Sequence, residues 1–269
     1  MASKTSDDDA RWNARRDRAR ELQEEYPATA EALRFYEVTL DFQREISVRS
    51  QQVVNCNVGL REQIDLLRVS SEMPGIIRIA ADHGPERLRS EALRLKDAAE
   101  DSWRELLRKN IFPTDRGSDH PAEDFFARAC LQPVAENLQL QWQREENDER
   151  KNNCPACGGL AQMAVLHPEG EGASRWLLCS FCLREWPYRR VVCPWCGEED
   201  KEKLPQYSSE EFPHVHVEAC DTCKRYLKAI DLSINGLAEP LVDEAALVVL
   251  DVWANEHGYT KIVPNLLGF

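Results

Sequence analysis

Eight of the ten cysteines fall into four Cys-x-x-Cys pairs: Cys154/Cys157, Cys179/Cys182, Cys193/Cys196 and Cys220/Cys223. A Cys-x-x-Cys turn presents two sulfurs on one side, so two facing turns complete a tetrahedral four-sulfur shell for zinc or iron. Two of the turns, "CPACGG" and "CPWCGEE", carry Gly directly after the second Cys. Gly suits the backbone path past that position. Each is followed by a less regular pair, "LCSFCLREW" and "ACDTCKRYL", after 21 residues in the first case and 23 in the second. This repeat predicts two tandem ribbons, one holding an ion with Cys154, Cys157, Cys179 and Cys182, the other with Cys193, Cys196, Cys220 and Cys223. A rival pairing joins Cys179/Cys182 to Cys193/Cys196 and breaks the repeat. A thioredoxin-like redox pair needs a strand-then-helix context and a lowered thiol pKa. An iron–sulfur cluster is a third alternative, although the common ferredoxin spacings are absent.

The remaining candidate residues carry less chemistry. His214 and His216 in "FPHVHVEAC" alternate as strand residues do and are expected to face solvent, because both sulfur shells are already full. Trp176, Trp186, Tyr188 and Trp195 lie among Arg184, Arg189 and Arg190. Aromatic residues interleaved with arginine can bind nucleic acid, but in an acidic chain they read as core packing or a protein-binding face. His83, His120, His167 and His257 stand in unrelated contexts, and Cys56 and Cys130 stand alone on what read as helical faces, expected to be buried as small apolar residues. The spacing yields no Ser-His-Asp set, metal-hydrolase motif or carboxylate pair. Closed four-sulfur sites have no open coordination position, which favours a binding or assembly protein over an enzyme.

The elements that must position these residues change near residue 150. From about Asp8 to Arg150 the sequence reads as a bundle of four to six helices. "TAEALRFYEVTLDFQREISVRSQQVV" repeats apolar residues at helical spacing after Pro27, which suits a first turn. "PGIIRIAADHG" is a short helix stopped by Gly84 and Pro85. "PERLRSEALRLKDAAEDSWRELLRKNI" reads as one helix with a continuous apolar face through Leu88, Ala92, Leu95, Ala99, Trp103 and Leu106. "FPTDRGSDHP" is a turn-rich linker. The next segment, from Ala122, is a helix expected to kink or break at Pro133. "REENDERKNN" is a charged boundary, and Asp243 to His257 reads as a helix with Asp243 as N-cap and Gly258 just past its end.

Composition bounds the partners. The 269 residues carry a net charge of -13, and both halves are acidic, so nucleic acid is a poor partner. No apolar run approaches the roughly 18 residues that span a bilayer. The polar start "MASKTSDDDARWNARRDRAR" shows no secretory or twin-arginine signal, which points to the cytoplasm. Eight paired thiols in a reducing compartment read as metal ligands rather than disulfides. The sequence sets no oligomeric state.

The stretches "CPACGG", "LCSFCLREWPYRRVVCPWCG" and "EACDTCKRYLKAIDL" and the tail "LDVWANEHGY" resemble the FdhE family of formate dehydrogenase accessory proteins, most clearly from Cys154 to Tyr259. The resemblance implies an α+β fold. An N-terminal helical domain (1–150) is followed by two tandem rubredoxin-like or zinc-ribbon modules (151–190 and 191–269), the second with a C-terminal helix. It further implies a cytoplasmic maturation factor or chaperone. Such a factor binds the catalytic subunit of formate dehydrogenase before export and holds two ions, iron or alternatively zinc, through the eight cysteines. "RYLK" and "REWPYRR" are the expected contact segments. Two features depart from the family pattern. Leu183 and Lys224 stand where Gly would follow the second pair of each site, and the N-terminal region is short. The alternatives are a rubredoxin-like electron-transfer protein and a zinc-ribbon nucleic-acid-binding protein.

Overall fold

The computed structural model describes residues 2–113, 121–142 and 152–268. Most of the expected linker (112–121), including His120, and most of the expected charged boundary (144–153) lie outside the described residues. The chain divides into two compact units: Met1–Trp142 with Leu266–Gly268, and Gln143–Asn265.

The first unit is helical. Its described helices are α1 (Ala2–Glu25), α2 (Ala30–Arg49), α3 (Leu66–Ser70), α4 (Met73–His83), α5 (Glu86–Lys96), α6 (Glu100–Ile111) and α7 (Pro121–Leu140). Their number exceeds the expected four to six for two reasons. A five-residue helix, α3, is started by Asp65, whose carboxylate accepts the Leu67 and Arg68 amides. The single helix expected over 85–111 is also two helices. It breaks at Asp97–Ala99, where the Trp103 indole donates to the Leu95 carbonyl at 2.9 Å and so satisfies the end of α5.

The core of this unit is α7, which is buried on every side from Phe125 to Leu138 except at Arg128. Helix α2 packs on it with the Phe35 and Phe125 rings 5.3 Å apart, and buries Leu33, Phe35, Tyr36, Leu40 and Ile46 within the unit. Polar ties fix the register. Ser47 Oγ donates to Asn137 Oδ1 at 2.9 Å, and Asn137 Nδ2 donates to the Ser47 carbonyl at 2.7 Å. The buried carboxylate of Glu136 receives two hydrogen bonds from Arg15 of α1, at 2.7 and 3.1 Å. Burial pushes the Glu136 carboxyl up, but the Arg15 and Arg11 charges outweigh it and hold the group below its ordinary value.

Helix α7 continues through Pro133, so the expected break does not occur. Proline removes the amide that would bond the carbonyl four residues back, at Ala129. That carbonyl instead accepts the Gln43 side-chain amide of α2 at 3.2 Å.

The second unit holds β1 (Ala161–Glu169), β2 (Gly172–Cys179), β3 (Glu185–Pro187), β4 (Gln206–Ser208), β5 (Val215–Cys220), β6 (Arg225–Asp231) and β7 (Thr260–Lys261), with α8 (Pro240–Ala246) and α9 (Val248–Glu256). All seven strands share one sheet in the order β3-β2-β1-β6-β5-β4, and β7 also pairs with β6. The antiparallel sets β1–β2–β3 and β4–β5–β6 are two ribbons. They are joined edge to edge by a parallel pairing of Met163–Leu166 with Lys228–Asp231. Strand β6 is therefore central, and Tyr226 to Ile230 are all buried.

The C-terminal helix differs from expectation. It is two helices broken at Leu247, and Asp243 lies inside the first rather than at its N-cap. Gly258, at φ 81°, follows the second helix as expected. Among the described residues no helix is long and apolar enough to cross a membrane.

Candidate metal centres

Each Cys-x-x-Cys pair forms the same turn. In the first, the Cys154 amide donates to the Gly159 carbonyl and the Gly158 amide to the Cys154 carbonyl, both at 2.8 Å. Cys193, Glu198 and Gly197 repeat this at 2.9 Å. In the second turn the Cys179 amide donates to the Arg184 carbonyl at 2.9 Å, and in the fourth the Lys224 amide donates to the Cys220 carbonyl at 2.8 Å while Cys220 pairs with Arg225 across β5 and β6. The residue after the second cysteine is left-handed in all four: Gly158 at φ 72°, Leu183 at 58°, Gly197 at 77° and Lys224 at 56°. The two departures from glycine thus keep the turn, at a backbone cost of roughly 1 kcal/mol each.

The turns bring the thiols together in two groups, Cys154, Cys157, Cys179 and Cys182, and Cys193, Cys196, Cys220 and Cys223. Within each group the sulfurs lie within 4.8 Å of one another. The contacts between turns are 3.6 Å for Cys154–Cys182, 3.4 Å for Cys157–Cys179, and 3.7 Å for both Cys193–Cys223 and Cys196–Cys220. A tetrahedron with metal–sulfur bonds of about 2.3 Å has an edge of about 3.8 Å, so the donor set fits such an ion. These separations far exceed the roughly 2.05 Å of a disulfide. The rival pairing across residues 183–192 does not form.

Main-chain amides face the first group. Those of Gly159 and Phe181 each lie 3.4 Å from a sulfur, of Cys157 and Cys179 respectively. Burial pushes the Cys179 and Cys182 thiols well above the ordinary value and Cys193 up to about 11, and it raises Cys223 as well. At Cys220 burial acts in the same direction, but hydrogen bonds from the Cys223 amide and from neighbouring thiols outweigh it and leave the group low. A cation binding as thiolate complex has to displace these protons, so metal uptake is linked to proton release.

The other expected residues are distributed differently from the sequence reading. His214 is buried, not solvent-facing, and its Nε2 lies 2.9 Å from Asp243 Oδ1. The second Asp243 oxygen accepts the Glu239 amide at 2.8 Å, which is why Asp243 serves from within α8. His216 is half-buried, with Nε2 3.6 Å from Glu218. Trp186 and Tyr188 are core residues, while Arg189 and Arg190 are exposed. In the expected contact segment "RYLK", Tyr226, Leu227 and Lys228 are buried in the central strand, so they offer no surface. Cys130 is buried as expected, whereas Cys56 is half-buried in a turn rather than on a helix.

Sequence reading missed a buried ionic cluster against β6. Lys228, fully buried, lies 2.6 Å from Asp251 Oδ2 and 3.1 Å from Glu244 Oε1, and donates to the Leu247 carbonyl at 3.3 Å. Lys261 of β7 pairs with Glu244 and lies 2.9 Å from Asp251 Oδ1. The Tyr226 hydroxyl donates to Asp251 at 2.8 Å and Asn265 Nδ2 to Glu244 at 2.9 Å. Two cations and two anions balance. Burial lowers Lys228. At Lys261 burial also lowers, but the two carboxylates prevail and raise it. The available signal was Lys228 itself, a cation inside the otherwise apolar run of β6.

Fold and centres define a class: a helical unit linked to a twin four-cysteine ribbon built on one sheet. Family models described as "FdhE, central domain" and "FdhE, C-terminal domain" match residues 153–190 and 191–267. A protein named "Protein FdhE homolog" from Aquifex aeolicus is 27% identical over 263 residues, covering 92% of each chain. Its namesake from Pseudomonas putida is 36% identical over 121 residues, which is 42% of this chain and 37% of that protein. The crystal structure of the FdhE protein from Pseudomonas aeruginosa superposes with a TM-score of 0.67 over 95% of both chains at 23% identity, which shows the shared fold. The chain belongs to the FdhE family.

Proposed function

We propose that this chain is an accessory factor in the formation of active formate dehydrogenase, binding the catalytic subunit in the cytoplasm before export rather than performing catalysis itself. The observation that carries this reading is the pair of closed four-sulfur groups built into one sheet in a chain of the FdhE family. Each group supplies four sulfurs and leaves no open coordination position on an ion it holds, so its contribution is rigidity. An ion there, iron in our reading and zinc as the alternative accepted by the same donors, would tie two turns and the strands leading from them into a fixed platform. The exposed Arg189 and Arg190, on the loop between the two groups, are the part of "REWPYRR" left to contact a partner.

The test is co-purification. The tagged full chain, expressed with a formate dehydrogenase catalytic subunit, is expected to retain that subunit, and its deletion is expected to abolish formate dehydrogenase activity. Full activity in the deletion strain, with no subunit retained, would sink the reading. Visible absorption of anaerobically purified protein separates iron from zinc.

A further inference from the structure

The two sulfur groups are alike in geometry and unlike in exposure. In the first, Cys154, Cys179 and Cys182 are 3%, 0% and 0% exposed and Cys157 is half-buried. Inside its turns Ala156 and Phe181 are buried and Pro155 and Ser180 half-buried; after them Gly158 is exposed and Leu183 half-buried. In the second, Cys193 and Cys220 are buried, but Cys223 is only half-buried and Cys196 is exposed. Its turns leave Gly197, Thr222 and Lys224 exposed, and Trp195 is half-buried with the Arg225 guanidinium 4.4 Å from its ring centre. At the sulfur-bearing residues themselves the second group is thus open at Cys196 and partly at Cys223, one in each turn, whereas the first is closed apart from the half-buried Cys157.

Exposure decides how an ion leaves a closed thiolate shell. With no free coordination position, an incoming ligand has to reach the ion as one sulfur lets go. The departing sulfur must also be reached by water, a proton or an electrophile. A shell whose sulfurs lie under protein atoms resists both steps.

We infer that the second group is an exchange site and the first a retained structural one: at Cys196 a soft incoming ligand, a small thiol or a chelator, displaces a cysteine sulfur and takes the ion. This rests on the reading that both groups hold metal. The step is a ligand substitution. A metal–sulfur bond would break, a bond from metal to incoming ligand would form, and the proton the incoming ligand gives up would pass to the freed sulfur, with no change of oxidation state.

The full chain loaded with two equivalents of Zn²⁺ tests this in two ways. On challenge with the chelator 4-(2-pyridylazo)resorcinol, one equivalent is expected to leave at least about tenfold faster than the other, a difference of the size that outer-shell changes produce at metal sites. In parallel, iodoacetamide labelling with peptide mapping is expected to mark Cys196 and Cys223 before any cysteine of the first group, Cys56 lying outside both groups, and to leave Cys154, Cys179 and Cys182 unlabelled until the protein unfolds. Cys196→Ser should abolish the fast phase and keep the slow one. Cys157→Ser should do the reverse. Release of both equivalents at one rate, or first labelling within the first group, overturns the inference while leaving metal binding intact. A chain that takes up no Zn²⁺ overturns the underlying reading and this one with it. The labelling and release of the unsubstituted chain stand by themselves if a Cys→Ser variant fails to fold.

Discussion

The side-chain amide of Gln43 donates to the main-chain carbonyl of Ala129, the acceptor that Pro133 leaves without its helical partner. A helix of twenty residues thereby passes through a proline at the centre of the core. Gln43→Ala should orphan that carbonyl and destabilise the chain by about 1–3 kcal/mol, read from the urea midpoint of the helical circular dichroism signal. Pro133→Ala restores the amide, so the double variant should recover most of the loss. An equal loss with and without Pro133 would assign Gln43 to packing alone.

Glu136 and Arg15 give the helical unit an acid dependence with a defined sign. The Glu136 carboxyl lies below its ordinary value of 4.5 in the folded chain, so its contribution is present above that pH and fades as pH falls through the folded value. Glu136→Gln should flatten the fall in urea midpoint below pH 4.5 and, at neutral pH, cost about 3 kcal/mol or more by stranding Arg15. An unchanged slope below that pH would show that other carboxylates govern acid unfolding.

The cluster around Lys228 should tolerate truncation poorly. Lys228→Met leaves Glu244 and Asp251 with Lys261 alone, and loss of one partner from a buried ionic set costs about 3–5 kcal/mol. Thermal unfolding followed by tryptophan fluorescence measures this. A melting temperature within a degree or two of the parent would mean that the cluster is dispensable.

Gly197 isolates the backbone cost of the metal turn, because a Cβ there meets nothing within 4 Å while φ is 77°. Gly197→Ala is expected to weaken zinc binding at the second group by about tenfold, the equivalent of 1.4 kcal/mol, with Asn tolerated better. Competition titration provides the measurement. Equal affinities for the Gly, Asn and Ala forms would show that the turn relaxes freely.

The cysteine groups were legible in the sequence because their information is local. A Cys-x-x-Cys turn is six residues long, and two repeats of similar length fix which turn faces which. The helices of the first unit were legible where an apolar stripe runs uninterrupted, as at Met73–His83. Several errors came from partners distant in sequence. Nothing near Pro133 indicates that Gln43 will supply the bond it removes. The break after Lys96 is local: Trp103, eight residues on from Leu95, caps the Leu95 carbonyl, a role that an unbroken apolar stripe conceals. His214 reads as a surface residue until Asp243 comes to it from α8. Lys228 looked like part of a docking segment because its four ionic and hydroxyl neighbours arrive from α8, α9, β7 and its own strand.

The parallel seam between Met163–Leu166 and Lys228–Asp231 bears on how the chain is made. During synthesis the leading ribbon emerges with one flank bare, and its permanent neighbour is the last strand of the ribbon that follows. Until that strand leaves the ribosome, the nascent molecule displays a row of unsatisfied amides and carbonyls that invites mispairing. Closure is therefore a late, long-range event that completes both halves at once. Expression of either half in isolation is expected to yield aggregates.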